Sequence, residues 1–172
     1  VQARSNSSRL ESKMTKILDK SYLLDWVLSR VKKSKKVKQF LLATTNKTID
    51  KDLINIGKNN KFKIFKGSEN DVLSRFYKCS KYFKLKTIVR VCADNPLIDP
   101  KEIDSLIENF RKDKIDYLYN TMQTNDNFNS DGFGAEIFSF NALSKAHKLA
   151  KNKSDREHVT KFIRNNKKLF KS

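Results

Sequence analysis

Glycine and cysteine are scarce in this chain of 172 residues, and neither forms a motif that usually marks a function. The four glycines, at positions 57, 67, 132 and 134, form neither a Walker phosphate-binding loop nor a dinucleotide-binding fingerprint. Cys79 and Cys92 lack the spacing of a metal site and lie in apolar-periodic segments, so we expect buried thiols and no disulfide. A reducing compartment follows from that expectation.

Long apolar runs are missing as well. The longest are short stretches such as Phe40-Leu41-Leu42-Ala43, far below the roughly 18 residues that span a membrane. No charged start followed by an apolar run resembles a secretion signal. We therefore expect a soluble, cytoplasmic protein with no membrane partner.

The chain has enough apolar residues for one core. Its hydrophobic content is 38%, with 12 Phe, so residues 1–172 are interpreted as a single domain. Val1-Gln2-Ala3 has the character of the last residues of a strand, and the basic segment from Lys161 to Ser172 has no final apolar element. This pattern predicts a domain that is incomplete at both ends.

Acidic residues are outnumbered by basic ones, which gives a formal net charge of +18. Such a charge favours phosphate-bearing partners, and a basic binder of nucleic acid or another polyanion is one interpretation. However, only eight of the 37 basic residues are Arg, and the Lys are scattered over nearly every segment. Because Arg matches phosphate bidentately, the positions of the few Arg matter more than the total, and no nucleic-acid partner is expected.

Strand-like and helix-like apolar patterns alternate along the chain. Near-continuous apolar runs predict buried strands, and recurrence at i, i+4 and i+8 predicts amphipathic helices. Asp99 followed by Pro100 is typical of an N-cap and a first helical residue. The alternation predicts an α/β domain whose mainly parallel sheet is flanked by helices. The predicted strands cover 1–3, 37–43, 62–65, 87–93, 115–119 and 135–140, and the predicted helices cover 22–33, 50–60, 72–83, 100–110, 141–150 and 154–165.

Two loops should meet in such a fold, because ligands bind beyond the carboxyl ends of the strands where the first and fourth strands are neighbours. The loop after the first strand carries Arg4, Arg9 and Lys13 among small hydroxyl residues, and the loop after the fourth carries Asp94. A triphosphate needs cations spread over its oxygens, and a divalent metal needs a hard oxygen ligand. The two loops therefore fit nucleotidyl transfer. The alternative is a solvated basic turn and a loop cap.

Five sequence blocks, in order over almost the whole chain, resemble one family. The segment Ala3-Arg4-x-x-Ser7-Ser8-Arg9-Leu10-x-x-Lys13 looks like the nucleotide-binding signature of the sugar-acid cytidylyltransferases, which include those for 3-deoxy-manno-octulosonate and N-acylneuraminate. The later blocks resemble the spore coat polysaccharide biosynthesis F type. They are Ala43-Thr44-Thr45, Gly67-Ser68-Glu69-Asn70-Asp71-Val72-Leu73-x-Arg75, Val89-Arg90-x-x-Ala93-Asp94-x-Pro96-Leu97-Ile98-Asp99-Pro100 and Asp155-Arg156-Glu157-His158-Val159-Thr160.

The resemblance implies the nucleotide-diphospho-sugar transferase fold, which is GT-A-like and Rossmann-like, and transfer of CMP from CTP to a sugar. It implies catalytic roles for Arg4, Arg9 and Lys13 on the triphosphate and for Asp94 on Mg²⁺. Further contacts with the nucleotide are expected from Ala3, Ser7, Ser8, Thr44, Thr45, Gly67, Ser68 and Asp71. The sugar, expected to be acidic, would be bound by Arg75, Arg90, Asn95, Asp131, Glu136 and His158. A homodimer is suggested by the resemblance alone.

Two departures from the family pattern bear on activity. Glu11-Ser12 stands where the family usually has Pro-Gly, which places a carboxylate beside the triphosphate and predicts weaker nucleotide binding. The later acidic motif Asp-Gly-x-Asp-x-Glu becomes Asp131-Gly132-Phe133-Gly134-Ala135-Glu136, so Gly134 replaces the middle acid. A second metal ligand is then missing unless Asp131 or Glu136 substitutes for it. A degenerate relative that binds nucleotide without turnover is therefore a second interpretation.

Several candidate residues also have a structural alternative. Arg90, inside a buried strand, must meet either a carboxylate or a ligand phosphate. Arg75 is as consistent with holding the loop after the third strand as with touching substrate. Ser154 followed by Glu157 fits a capping box that opens a helix, which is the alternative to a catalytic role for that block. A glycosyltransferase on a similar fold lacks support, because the Asp94 loop supplies no Asp-x-Asp motif.

Overall fold

The computed structural model describes residues 1–5, 10, 12–120 and 134–172. Within these residues, strands and helices alternate along most of the chain, which confirms the predicted α/β class. The strands are β1 Ile17–Leu18, β2 Ser21–Tyr22, β3 Leu41–Thr45, β4 Lys63–Gly67, β5 Thr87–Arg90, β6 Tyr117–Tyr119 and β7 Glu136–Ser139. The helices are α1 Leu23–Val31, α2 Lys51–Asn59, α3 Val72–Tyr82, α4 Pro100–Asp113, α5 Phe140–Leu149, α6 Lys153–Glu157 and α7 Lys161–Asn165, and 3₁₀ turns cover Lys13–Thr15 and Thr48–Asp50.

The sheet is mainly parallel, as predicted, with one antiparallel strand. β3 pairs in parallel with β4, and Gln2 forms parallel bridges to both Ala43 and Cys92. The amino-terminal segment therefore lies between β3 and the chain that leaves β5, which confirms that the first and fourth predicted strands are neighbours. β7 pairs antiparallel with both β5 and β6 and so lies between them.

Helices cover both faces of the sheet and enclose two apolar clusters. Buried residues of α1, α2 and α4 form one cluster, and buried residues of α3, α5 and α7 form the other. Ile137 and Phe138, which are neighbours on β7, are both fully buried but belong to different clusters. This is the result of the alternation of side chains along a strand, and it places one helical layer on each face.

Some predicted boundaries are confirmed and others are wrong. The Asp99 carboxylate accepts the amide of Lys101 at the start of α4, as its N-cap role predicts. β3 begins at Leu41 rather than at position 37, because Val37 packs on the core outside the ladder and Phe40 contributes only its carbonyl, which accepts the Lys63 amide at 2.9 Å. The short hairpin of β1 and β2 carries no strand pattern that predicts it.

The predicted helix over 154–165 is two short helices, and its predicted capping box does not form. α6 begins after Asn152 and has no side-chain cap, while the Ser154 hydroxyl accepts a hydrogen bond from Lys161 Nζ at 2.7 Å. Between the helices, Val159 is buried and the Thr160 hydroxyl donates to Glu136. These tertiary contacts separate α6 from α7.

Both cysteines lie apart from any chemistry that the described residues show. Neither forms a disulfide in this part of the chain, and Cys79 is buried as predicted. Burial raises the pKa of the Cys79 thiol to about 11, so this thiol is unreactive at neutral pH. Cys92 is partly buried.

No described helix has both the length and the apolar character needed to span a membrane. A largely apolar cavity of about 410 Å³ lies at the amino ends of the central strands and is lined by residues such as Phe40, Phe62 and Ile88. Ligands of open α/β sheets bind at the opposite edge, beyond the carboxyl ends. The candidate site is therefore expected at that edge.

Candidate active site

The carboxyl edge of the sheet brings together the loops that the sequence singles out. The Ala93 amide donates to the Gln2 carbonyl at 3.0 Å, and the Ala3 amide donates to the Ala43 carbonyl at 3.2 Å. The segments that lead to Arg4 and Asp94 therefore leave the sheet side by side. β7 runs in the opposite direction, so its first residues reach the same edge.

Lys13 and Asp94, predicted in separate loops, face each other across this edge. The distance between Lys13 Nζ and Asp94 Oδ2 is 3.3 Å, and both side chains are more than a third exposed. Arg4 faces a different carboxylate, with Nη2 lying 3.7 Å from Oε1 of Glu157. The two described cations of the loop are thus accessible from solvent and lie next to acidic groups.

Three predicted residues of the same loop, Ser7, Ser8 and Arg9, lie outside the described residues, as does Asp131. Their expected contacts with nucleotide and sugar stay predictions from the resemblance. The described part of the loop is closed at its base, where the Ser12 amide donates to the Ser5 carbonyl at 3.3 Å.

The buried carboxylate of Asp50 lies beneath this loop, and sequence reasoning did not find it. Asp50 is 1% exposed and accepts the Ser5 amide on Oδ1 at 2.8 Å. Its Oδ2 accepts the Thr44 hydroxyl at 2.9 Å and, from Thr45, the amide at 3.1 Å and the hydroxyl at 2.5 Å. Burial alone would raise the pKa of Asp50, but the hydrogen bonds from Thr45, Ser5 and Thr44 outweigh it and lower the pKa.

Thr44 and Thr45 therefore have a structural role, in addition to the nucleotide contact predicted for them. Both are buried, and both hydroxyls are used by Asp50. Their expected contact with the nucleotide stays a prediction, and it would have to use groups other than these hydroxyls. Ala3, the other predicted nucleotide contact on a strand, is also buried in the core.

The loop after β4, predicted to contact nucleotide, is tied to α6 through Asp71. Oδ1 of Asp71 accepts the Ser74 amide at 2.9 Å and so caps α3. Oδ2 accepts Nε of Arg156 at 2.9 Å and Nη2 at 2.6 Å. The Asp71 amide in turn donates to the Ser68 hydroxyl at 3.0 Å. Both oxygens of Asp71 are thus occupied by protein groups, and the loop is held in one shape.

Arg75 supports the same loop from below. Its side chain is fully buried, and Nη1 donates to the Ser68 carbonyl at 2.6 Å. A Cβ at Gly67 would lie 2.8 Å from Cγ of Arg75, which explains glycine at that position. Burial, followed by the charge of Arg4, lowers the pKa of the Arg75 guanidinium to about 10, so the cation persists at neutral pH. The structural alternative for Arg75 is confirmed, and contact with substrate stays a prediction.

Arg90 meets a carboxylate, as its structural alternative predicts. Its Nη1 pairs with Oε2 of Glu136, and its Nε donates to the side chain of Gln2 at 3.1 Å. Oε1 of Glu136 accepts the hydroxyls of Tyr117 at 2.8 Å and Thr160 at 2.6 Å. Burial works to raise the pKa of Glu136, but the charge of Arg90 and these hydrogen bonds lower it. The geometry favours a structural role for Glu136, and metal binding by it stays a prediction.

Asn95 and Gly134 connect the Asp94 loop to the start of β7. Nδ2 of Asn95 donates to the Gly134 carbonyl at 2.9 Å. Gly134, where the resemblance leads us to expect an acid, therefore lies beside the Asp94 loop. His158 is exposed directly after Glu157. Among the residues that the structure describes, no three His, Cys, Asp or Glu side chains cluster as a ready metal site.

Sequence comparisons identify relatives over the whole chain. The family model of the cytidylyltransferases matches residues 1–172. An uncharacterized protein of Methanocaldococcus jannaschii is 40% identical over 171 residues, which are 99% of this chain and 68% of that protein. The spore coat polysaccharide biosynthesis protein SpsF of Bacillus subtilis is 32% identical over 177 residues, covering 99% of this chain and 71% of that protein.

Solved structures agree with this result. A cytidylyltransferase from Leptospira borgpetersenii superimposes with a TM-score of 0.91 at 31% identity, covering 98% of this chain and 71% of that one. CMP:2-keto-3-deoxy-manno-octonic acid synthetase, solved with CTP, superimposes with a TM-score of 0.71 at 12% identity and shows the common fold. It covers 95% of this chain and 83% of that one. The chain belongs to the cytidylyltransferase family and is a CTP-dependent nucleotidyltransferase by that membership.

Proposed function

We propose that this protein transfers CMP from CTP to an acidic sugar, with release of pyrophosphate, for the synthesis of a surface polysaccharide or another glycan. The family and the relationship to SpsF of Bacillus subtilis support the reaction and its purpose. The observation that carries the proposal is the meeting of Lys13 with Asp94 at 3.3 Å on the carboxyl edge of the sheet. A basic loop facing a carboxylate is what the handling of a magnesium triphosphate requires.

The chemistry is an in-line displacement at the α-phosphorus. A sugar hydroxyl forms the new P–O bond, the bond to the bridging oxygen of pyrophosphate breaks, and the hydroxyl proton passes to solvent or a nearby base. Positioning and charge neutralisation provide most of the catalysis in phosphoryl transfer. Arg4, Arg9 and Lys13 are proposed to neutralise the triphosphate and the departing pyrophosphate.

Asp94 fits the role of a magnesium ligand. Mg²⁺ retains several waters and is usually bound by one or two carboxylates together with substrate phosphates. Asp94 is a partly exposed carboxylate whose described contact is with Lys13, a cation that itself is proposed to bind phosphate. When bound there, the metal would supply charge neutralisation to the phosphate oxygens. A protein ligand set of one carboxylate is sufficient for this purpose.

We propose sugar contacts according to which predicted side chains are exposed. Arg90 and Glu136 are engaged with protein groups, and Arg75 is fully buried with Nη1 bonded to the Ser68 carbonyl, so we propose that all three shape the site rather than bind the sugar directly. His158 is exposed next to Glu157, which faces Arg4, and it is the described residue best placed for sugar contact. Asn95 is proposed to hold the Asp94 loop through its contact with Gly134.

The test compares two lysines in similar environments. Lys13 pairs with Asp94 and is 37% exposed, and Lys36 pairs with Glu108 and is 36% exposed. Because a charge-assisted contact contributes roughly 1.5 to 3 kcal/mol, Lys13→Ala should lower pyrophosphate release from CTP and a sugar acid by about tenfold or more. Lys36→Ala should leave the rate unchanged. Equal rates for the wild type and both variants would contradict the proposal.

A degenerate nucleotide-binding relative is the second candidate function, and Gly134 is the observation that favours it. The missing acid lies beside the Asp94 loop, where a second metal ligand would be expected. In that case CTP binds, but no sugar acid in a broad panel gives pyrophosphate. Restoring the carboxylate with Gly134→Asp would then be expected to create turnover.

A further inference from the structure

The side chain of Asp50 does not cap the helix that it precedes. It directly precedes α2 in the N-cap position, yet its carboxylate accepts no hydrogen bond from the first turn of that helix. Both oxygens are instead directed to other segments, the end of β3 and the start of the loop that carries the cations. Capping, the usual task of an aspartate at this position, is therefore not what the carboxylate does.

The contact with Ser5 fixes the base of the cation loop. Asp50 accepts the Ser5 amide at 2.8 Å, and the Ser5 hydroxyl donates to the Ile49 carbonyl at 3.0 Å. The Ser5 carbonyl accepts the Ser12 amide at 3.3 Å, which closes the loop. Arg4 comes directly before this closed base and Lys13 directly after it. One buried carboxylate therefore anchors the backbone between the two described cations.

The negative charge of Asp50 matters because the loop above it is proposed to bind an anion. A buried carboxylate beneath an anion-binding loop repels the anion, so its electrostatic effect on binding alone is unfavourable. The nearby Arg75 cation, which is also buried, offsets part of that repulsion. A hydrogen bond from a backbone amide to a buried carboxylate is strong and directional, and it can hold a loop in one conformation. The contribution of this carboxylate to nucleotide binding is therefore structural, because it holds the loop in one conformation.

We propose that Asp50 is a positioning residue for nucleotidyl transfer, which holds the base of the loop so that Arg4 and Lys13 face the triphosphate together. This inference rests on the proposed function of the loop. It predicts that weakening the anchor impairs the use of CTP more than the use of the sugar, because the loop is proposed to contact only the nucleotide.

The experiment compares Asp50→Asn with Asp104→Asn in the complete protein. Asp104 serves as the control because it is also a hydrogen-bonded carboxylate, which accepts one hydroxyl, from Ser34 at 2.6 Å, and two amides, from Lys35 and Lys36 at 3.0 Å each. Asp50 accepts two hydroxyls and two amides. Asp104 lies on α4, and its described hydrogen bonds go to the segment after α1 rather than to the cation loop. Both variants should unfold at a lower temperature than the wild type. Asp50→Asn alone should raise the KM for CTP by about tenfold or more, since small displacements of binding groups have large effects.

A milder pair of variants covers the case in which Asp50→Asn does not fold. Thr44→Val removes one hydroxyl donor to Asp50 without changing side-chain size, and Ser34→Ala removes the corresponding donor to Asp104. Thr44→Val should raise the KM for CTP a few-fold, as expected from the loss of one hydrogen bond. Ser34→Ala should not change it, and the KM for the sugar should stay constant in every variant.

Different results would overturn the positioning role of Asp50 and the proposed function. A wild type that turns over CTP, with Asp50→Asn or Thr44→Val showing the same KM for CTP as its control, overturns the positioning role and leaves the proposed function intact. Equal increases in both KM values would also overturn it, because they indicate a general loss of structure. If the wild type binds CTP in calorimetry without turnover, the dissociation constant replaces KM in the same comparison. No binding of CTP by the wild type overturns both proposals.

Discussion

At the scale of single residues, Ser12 has a backbone conformation that suits glycine. Its φ is 51° and its ψ is 29°, in the left-handed region, which costs a non-glycine residue roughly 1 to 2 kcal/mol. The family that the sequence resembles usually has glycine at this position. Ser12 also closes the base of the cation loop through its amide. The loop thus has a left-handed conformation that serine does not favour.

Ser12→Gly should therefore stabilise the protein. Relief of the strain, less the greater freedom of glycine in the unfolded chain, should add up to about 1 kcal/mol to the free energy of unfolding. For a chain of this size, that corresponds to a rise of roughly 2 to 4 °C in the midpoint.

Differential scanning calorimetry measures the effect, with Ser29→Gly as the control. Ser29 is exposed on α1, where glycine should destabilise the helix by roughly 0.5 to 1 kcal/mol. A fall in the midpoint for Ser12→Gly as large as that for Ser29→Gly would contradict this account of the loop.

The sequence predicts the meeting of Lys13 with Asp94 but not the role of Asp50, and the reason is physical. Lys13 and Asp94 follow strands that a doubly wound sheet must place side by side, so residue type and fold class together predict their meeting. Asp50 is found only through contacts with Ser5, 45 residues earlier in the chain. Such a long-range hydrogen bond leaves no periodic pattern, and an aspartate before a helix is most simply interpreted as a cap.

At the scale of elements, the side chain of Arg156 makes most of the described side-chain hydrogen bonds that hold α6 in place. A five-residue helix is too short to be stable alone. Arg156 attaches it to Asp71 at the start of α3 and, through Nη1, to the His147 carbonyl at 2.8 Å and the Ala150 carbonyl at 3.3 Å. This attachment also places Glu157 within 3.7 Å of Arg4. The position of α6 and that of the cation loop are therefore linked.

Arg156→Lys should release α6, because an ammonium group cannot make the planar set of contacts that the guanidinium makes. We expect a loss of roughly 2 kcal/mol in the free energy of unfolding, the range of a charge-assisted hydrogen bond. Hydrogen exchange measured by mass spectrometry should show faster exchange over 153–157. Arg111→Lys, at an exposed position on α4, is the control and should change neither quantity. Unchanged exchange in α6 would contradict its dependence on Arg156.

Most elements could be predicted from the apolar pattern, but their partners could not. The pattern reports which residues pack inward, and Val37 and Phe40, which are partly buried, pack against the core without belonging to β3. The direction of β7 depends on which strands it pairs with, and its own residue pattern does not predict those partners. The break between α6 and α7 follows from the burial of Val159 and the bond of Thr160 to Glu136. Each of these outcomes is decided by distant parts of the chain.

At the scale of the whole molecule, the formal charge of +18 and the carboxyl edge have different roles in ligand binding. A positive protein attracts every nucleoside triphosphate at long range, and salt screens that attraction. Discrimination among bases requires contacts at short range, and the loop after β4, held by Arg75 and Asp71, is where the resemblance predicts them. Net charge therefore explains attraction but not selectivity.

The proposed function requires that the carboxyl edge binds CTP with Mg²⁺, and such binding should raise the midpoint of thermal unfolding. The midpoint is measured with each of the four nucleoside triphosphates, with and without Mg²⁺, at low and high salt. A ligand at 100 times its dissociation constant adds about 2.7 kcal/mol to the free energy of unfolding, which should raise the midpoint by several degrees. The account predicts a shift for CTP that depends on Mg²⁺ and exceeds the shifts for the other three at both salt concentrations. Equal shifts that disappear at high salt, or no shift with any nucleotide, would contradict it.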